Sequence, residues 1–448
     1  CLLMDENIKI KPEELCARLA EYNVEARPIW KPMHLQPIFK SNDFIAAEDT
    51  RHTRQLLSHF EIHCRRLESC HSFNEHSKVD SLVKYVLEGH SVALVSDAGT
   101  PSVADPGFLM VRQALEAGIE PLVTLYHWDL PLWMHEKGGW KTLAIREAFL
   151  EYASAVVDRL SDRVQYWITF NEPQCFLMNG YMQGVHAPFQ RDYLSLPRIT
   201  RNFMLTNAAT VRLIRERAKK NPKIGVAFAA GAFIPAEETQ SGIETARHKS
   251  FFKGMGTMNN RWWMDPILLG KPVVAYGVYR SRKRDMKDIQ VDFDFIGINN
   301  YTAFNYSDWG GDKNIDTSNL PKNSLGWVID GRSIYWTVRF LHERYKLPIM
   351  ITENGMSNLD AVNEQGEVAD DIRIGYIDEY LQNLKRAILE GIPVLGYQHW
   401  SLMDNFEWAE GYDPRFGLIH VDFGTGKRTI KKSGYHYKSI IESNGATI

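Results

Sequence analysis

Two glutamates stand where strand-like apolar runs give way to loops. One lies in Thr169-Phe170-Asn171-Glu172-Pro173, the other in Ile351-Thr352-Glu353-Asn354-Gly355. Breaking a glycosidic bond takes a proton for the leaving oxygen and a nucleophile for the anomeric carbon. Two carboxyl groups about 5–5.5 Å apart supply both, with retention of configuration. Such a pair must differ in pKa: a neighbouring negative charge or burial keeps the acid protonated, while hydrogen bonds or a cation keep the nucleophile ionised. On this reading Glu172 is the acid/base and Glu353 the nucleophile. Taken singly, each segment reads more simply as a glutamate capping a loop.

Residues so far apart in sequence meet only if the chain gathers its strand ends on one rim, as a parallel barrel does. From about residue 120 onward, apolar runs of strand length occur at 122–126, 166–170, 224–228, 295–298, 349–352 and 394–397, with helical patterns between them. Residues 143–160 bring Ile145, Phe149, Tyr152, Val156 and Leu160 close to one face, and 372–389 do so with Ile377, Tyr380, Leu381, Leu384 and Ile388. The alternation predicts parallel βα units. Two further strands are expected before residue 120. One, at 44–48, leads into a helical stretch at 50–60. The other, at 91–96, leads into a helix from about 106 to 117 that Gly118 ends. Two and six make eight, so the expected fold is α/β, a closed (βα)8 TIM barrel. Its parts would be an N-terminal extension (1–40), a βαβα segment supplying the first two barrel strands (41–120) and barrel strands three to eight (121–448). Residues 307–323, rich in Asp, Asn, Gly and Ser, read as a long surface loop.

Composition narrows the function. The 448 residues can bury the core of one large barrel. A net charge of −3 and a pI near 6.6 give no reason to expect nucleic acid or an anionic membrane as partner. Mean hydropathy is −0.32, and no apolar run approaches the roughly 18 residues that span a bilayer. No basic segment followed by an apolar stretch opens the chain, so no signal peptide is expected. Cys1, Cys16, Cys64, Cys70 and Cys175 lack framework spacing and read as reduced thiols of a cytoplasmic protein. His59 and His63 share a helical spacing near Cys64 and Cys70, but no CxxC pair accompanies them. Ordinary surface and core histidines are the better reading than a metal site. Twelve tryptophans suit the apolar faces of sugars and the needs of a core alike.

From Pro121 to the C-terminus the chain resembles glycoside hydrolase family 1, the retaining β-glucosidases and β-galactosidases. Five segments carry the likeness, in the family's order: Leu125-Tyr126-His127-Trp128-Asp129-Leu130-Pro131, the two glutamate segments, Gly297-Ile298-Asn299-Asn300-Tyr301, and the run from Trp400 through Glu407 and Trp408 to Tyr412. The resemblance implies double-displacement hydrolysis of a small β-glycoside without metal or organic cofactor. It makes Glu172 the acid/base, Asn171 the donor to the sugar 2-hydroxyl, Glu353 the nucleophile and Tyr301 the phenol holding its carboxylate. It puts His127 and Trp128 at the 3-hydroxyl and Trp400 beneath a sugar or aglycone ring. Glu407 falls where a carboxylate accepts from the 4- and 6-hydroxyls, with the Trp408 indole N–H beside it. A carboxylate there repels phosphate, so an unphosphorylated glycone is implied. The plainer alternatives are core packing for His127, Trp128, Trp400 and Trp408, and a simple turn role for Asn299.

The first 120 residues depart from that family. Its first two βα units, with a glutamine for the glycone and an arginine beside the nucleophile, are not found. Residues 44–118, with Ala46-Ala47-Glu48-Asp49-Thr50-Arg51-His52-Thr53-Arg54 and Ser96-Asp97-Ala98-Gly99-Thr100-Pro101, resemble ribosomal RNA 2′-O-ribose methyltransferases of the tetrapyrrole-methylase superfamily. Residues 6–39 resemble the C-terminal part of sugar aminotransferases that use pyridoxal phosphate. Neither piece is whole, and the three resemblances together imply a chimera. If the segment 44–118 stands in for the missing strands, the rim changes. Asp97 would come near Glu353 and raise its pKa where the family's arginine lowers it, so hydrolysis is expected to be weakened by orders of magnitude. A barrel that folds with little catalysis is the first alternative. An S-adenosylmethionine-dependent RNA methyltransferase is the second, disfavoured by the acidic net charge and the missing cofactor loop.

Overall fold

The computed structural model describes residues 120–252, 258–273, 282–303 and 319–448, together with the backbone of short strand segments at 44–47, 67–69, 92–95, 274–275 and 279–280. The chain divides into two compact units, Cys1–Gly99 with Asp422–Lys427, and Thr100–Val421 with Arg428–Ile448.

In the first unit, β1 (Phe44–Ala47), β2 (Leu67–Ser69) and β3 (Val92–Val95) form a parallel sheet of order β2-β1-β3. β1 and β3 were expected, and they pair with each other. β2 was not expected, since Leu67-Glu68-Ser69 offers only one apolar side chain. The helices expected at 50–60 and 106–117, the metal-spaced His59 and His63, and the rim residues Glu48, Asp49, Arg51, Ser96 and Asp97 lie outside the described residues. So does most of the loop read at 307–323.

The second unit is built on β4 (Leu122–Thr124), β5 (Tyr166–Asn171), β6 (Lys223–Ala229), β9 (Ile296–Asn299), β10 (Ile349–Asn354) and β11 (Val394–His399). All pair in parallel and in chain order, β4-β5-β6-β9-β10-β11, each joined to the next through helices. β7 (Val274–Ala275) and β8 (Tyr279–Arg280) form a small antiparallel ribbon, and β12 (Ile419–Val421) and β13 (Arg428–Ile430) another. The six main strands are those read from the apolar runs. Parallel strands covered on both faces must be apolar throughout, and β5, β6 and β9 are buried almost end to end. Ile168, Ala227, Phe295 and Met350, drawn from neighbouring strands or their ends, form a cluster of their own with Leu122 and Tyr166 packed against it. This is the inner layer of a curled parallel sheet, as in a barrel glycosidase. Phe295 lies so close over Gly225 that any Cβ there would meet its ring at 2.3 Å.

Outside the sheet, the larger core binds it to the helices. Helix Ala144–Leu160 buries Ile145, Phe149, Val156 and Leu160, and helix Asp371–Leu389 buries Ile377, Tyr380, Leu381 and Leu384. Ile388 was expected on that second face but is 48% exposed. Beneath the end of β5, Tyr126, Trp140, Phe149, Phe170, Phe176 and Phe203 interlock edge-to-face and stacked, with centroids 4.7–6.3 Å apart. Such aromatic packing adds roughly 0.5–1.5 kcal/mol per pair beyond area burial and gives the residues just beyond it a rigid floor. Among the described residues no helix is long and apolar enough to cross a membrane.

Candidate active site

β5 ends at Asn171, and the chain turns at once into helix Pro173–Leu177. Glu172, between them, has a left-handed backbone with φ of 44°. Its N–H donates to the carbonyl of Ala227 at 2.9 Å, and Gln174 Nε2 donates to the carbonyl of Ala229 at 3.2 Å, so β6 holds the turn from both sides. Trp128 and Trp408 are left-handed as well, with φ of 79° and 44°. A bulky residue in this region costs on the order of 1–3 kcal/mol, and such residues gather at sites where surrounding packing imposes the geometry. For Trp128 one source is visible: the buried Tyr126 hydroxyl donates to its carbonyl at 3.0 Å and accepts from Trp140 Nε1 at 3.3 Å.

A cavity of about 440 Å³ opens at the C-terminal ends of the strands, and His127, Trp128, Glu172, Asn299, Tyr301, Glu353, Trp400, Glu407 and Trp408 all line it. Asn171 stands behind, bonded to two of them. The hydrogen bonds form one chain. Thr352 Oγ1 donates to Asn299 Oδ1 at 2.5 Å. Asn299 Nδ2 then donates to Glu172 Oε1 at 2.9 Å and to Asn171 Oδ1 at 3.0 Å, which turns Asn171 Nδ2 toward His127 Nε2 at 3.2 Å. Nε2 of His127 is therefore the acceptor, and its Nδ1–H is left to donate. Burial lowers the His127 pKa to about 4, so the ring is neutral at ordinary pH. Asn299 is not a turn residue: it is the buried last residue of β9.

Glu353 Oε2 accepts from the Tyr301 hydroxyl at 2.6 Å. Both glutamates line the same cavity, and the charge of Glu172 acts on Glu353. Both carboxyls sit above the usual range. Burial raises Glu172, against hydrogen bonds from Asn299 and Cys175. Burial and then the charge of Glu172 raise Glu353 further, against the Tyr301 bond. Among the described residues no arginine or lysine pairs with Glu353.

Across the cavity, burial raises Glu407 to about 7 against a hydrogen bond from Trp400. Trp128 stacks on Trp408 at 4.9 Å, and His127 on Trp400 at 5.8 Å. Glu407 Oε2, Trp128 Nε1 and His186 Nδ1 are buried and find no partner among the described residues. These three polar atoms belong to residues lining the cavity and keep hydrogen-bonding capacity that a hydroxylated ligand could use.

The loops that carry this wall are fixed in two ways. Gly355 lies against the Trp400 carbonyl so closely that a Cβ would stand 2.0 Å from its oxygen. Beneath them runs a largely buried ionic network. Arg373 pairs with Asp360 at 2.7 Å and with Asp370, Lys431 with Asp360 at 2.6 Å and Asp404 at 2.7 Å, and Arg415 with Asp404 at 3.0 Å. Asp404 also accepts from the Gly417 N–H at 2.9 Å. The network ties the segments after β10 and β11 to the starts of helices Asp371–Leu389 and Lys432–Glu442.

Some cavity residues escaped the sequence reading. Cys175, one turn past Glu172, was counted only as a thiol. His186 and Trp327 reach the wall from loops with no local pattern, and Tyr301 meets both Trp327 and Phe416 edge-on. The spacing of Cys175 from Glu172 was the one available signal.

Likeness to known proteins agrees with this geometry. Beta-glucosidase A of Thermotoga maritima is 39% identical over 346 residues, 75% of this chain and 76% of that protein. A beta-glucosidase of an Agrobacterium species is 35% identical over 337 residues, 72% of each. The solved structure of a beta-glucosidase from Thermotoga maritima in complex with deoxynojirimycin matches with a TM-score of 0.68 at 33% sequence identity, covering 83% of this chain and 87% of that one. The resemblances read at 6–39 and 44–118 lie largely before the residues matched by the family and gain no support from them. The family model described as Glycosyl hydrolase family 1 matches residues 109–446, and the chain belongs to that family.

Proposed function

We propose that the protein is a retaining β-glycosidase that hydrolyses an unphosphorylated β-D-glucoside or β-D-galactoside by double displacement. The observation that carries this is that Glu172 and Glu353, from the ends of β5 and β10, line one cavity within reach of each other's charge. Retaining chemistry asks for a carboxyl separation of about 5–5.5 Å. In the first half-reaction Glu353 attacks the anomeric carbon while Glu172 gives its proton to the leaving oxygen. In the second, Glu172 takes a proton from water, which displaces Glu353. Burial suits Glu172 to holding a proton, and the phenol of Tyr301 suits Glu353 to carrying charge. His127 Nδ1–H, Trp128, Asn171, Glu407 and Trp408 are the hydroxyl partners, and Trp400 is the flat platform. The raised pKa of Glu353, without a cationic partner among the described residues, supports slow turnover whose acid limb lies at high pH. The methylase-like and aminotransferase-like origin of residues 44–118 and 6–39, and hence a chimeric chain, is inferred from their motifs alone.

Turnover of a nitrophenyl β-glucoside tests the assignment. Glu353→Gln is expected to abolish it. Glu172→Gln is expected to spare the activated nitrophenolate more than an alkyl leaving group, which needs the proton. Undiminished turnover in Glu353→Gln would refute the reading.

A further inference from the structure

Behind Glu353 lies a buried polar cluster that the reaction above does not use. Tyr376 and Tyr380 sit one turn apart on helix Asp371–Leu389, stacked with centroids 4.0 Å apart. Both are buried, at 2% and 0% exposure. Their hydroxyls donate to one acceptor, the main-chain carbonyl of Tyr301, each at 3.1 Å. That oxygen has two lone pairs, and both are taken. Tyr376 also accepts from Asn354 Nδ2 at 2.8 Å, and the same amide reaches the Asn300 carbonyl at 2.6 Å. The Tyr397 hydroxyl in turn donates to Asn354 Oδ1 at 2.7 Å.

The placement is what matters. Asn354 follows Glu353 in the chain, and Asn300 precedes Tyr301. The last ladder pair joining β9 to β10 is Asn299 with Glu353. Tyr301 lies beyond it, where the sheet no longer fixes the main chain, yet its phenol must meet Glu353 at 2.6 Å. We propose that Tyr376 and Tyr380 are positioning residues for the reaction, clamping the Tyr301 main chain so that its phenol keeps its bond to Glu353 as the nucleophile gains and loses charge. This rests on Glu353 being the nucleophile. Burial raises both tyrosines, so they remain donors across the working range of pH. The groups that face Glu353 are Glu172, Glu407, Tyr301, Asn299 and Cys175; those around the pair are Tyr397, Asn354, Ser333 and Asp330.

The test is the pH dependence of kcat/KM on an aryl β-glucoside for Tyr376→Phe, Tyr380→Phe and the double variant, each with Tyr301 intact and as Tyr301→Phe. Phenylalanine keeps the stack and removes the donors. The double variant is expected to lose roughly 10- to 100-fold, with its acid limb moved to higher pH because Glu353 has lost a bond that favours its charged form. In the Tyr301→Phe background the same changes are expected to add little. Equal losses with and without the Tyr301 hydroxyl, or an unmoved limb, would overturn the clamp. If the unaltered protein shows no turnover that depends on Glu353, the functional reading fails separately. The clamp is then read from the carbon-13 carboxyl titration of Glu353, identified by its loss in Glu353→Gln. A rise in the double variant supports it, and an unchanged titration sinks it.

Discussion

Glu407 offers a test of the site's electrostatics that needs no substrate. Burial lifts its pKa from 4.5 to about 7. A carboxyl that binds its proton more tightly folded than unfolded contributes most to stability below its unfolded value. That contribution falls as pH rises from about 4.5 to about 7 and then stays constant. At 1.36 kcal/mol per pKa unit, the ionised group costs the folded state about 3 kcal/mol above pH 7. Glu407→Gln removes the ionisation and keeps a carbonyl that can accept from Trp400. The variant should match the parent, or fall slightly below it, at pH 5 and exceed it by about 2–3 kcal/mol at pH 8. Thermal unfolding of both proteins at the two pH values is the assay, and the expected signature is a Tm gain of a few degrees that appears only at the higher pH. Other titrations occur in both proteins and largely cancel, apart from the part of the shift that Glu172 contributes. A Tm difference of the same size at pH 5 and pH 8 would show that Glu407 is not strained by burial.

Other outcomes follow from contacts already described. Gly355→Ala forces the Trp400 carbonyl away, so KM should rise and Tm should drop, as read by steady-state kinetics and scanning fluorimetry. Asn299→Ala takes a donor from Glu172 Oε1 and should move the basic limb of the pH–rate profile to higher pH. Lys431→Met leaves Asp360 and Asp404 buried without their shared cation, which costs about 3–5 kcal/mol at neutral pH. Despite burial, Arg373 and Lys431 hold Asp360 below the usual carboxylate range. Its contribution is therefore present above the unfolded pKa and disappears as pH falls through the folded one, and the gap between Lys431→Met and its parent should narrow in acid. Urea unfolding at pH 7 and pH 3.5 checks this.

Much of the second unit was legible because its physics is local. Strands covered on both faces must be continuous apolar runs, and the six runs named from sequence are the six strands of the sheet. Glutamates just beyond two such runs, on strands that pair in parallel, end on the same rim. Pairing was less legible. Phe44–Ala47 was read with one neighbour, Val92–Val95, and takes a second on its other side. Leu67–Ser69 carries no pattern and forms a strand by pairing with β1. Ile388 has helical spacing, but in the last turn of its helix the neighbouring Ala387 takes the buried position and Ile388 is left half-exposed. The ionic network was invisible because Asp360, Arg373, Asp404, Arg415 and Lys431 converge from separate loops, and charged residues read singly look like solvated surface.

That network holds three cations and three anions, all but Arg415 fully buried, beneath the loops bearing Trp400 and Glu407. Dissolved electrolyte screens what it can surround, within about 8 Å at physiological strength, and of these six groups only the partly exposed Arg415 offers it a face. Brine that loosens the protein's outer ion pairs will leave this wall of the cavity standing, so substrate affinity should be far less sensitive to added salt than overall unfolding is.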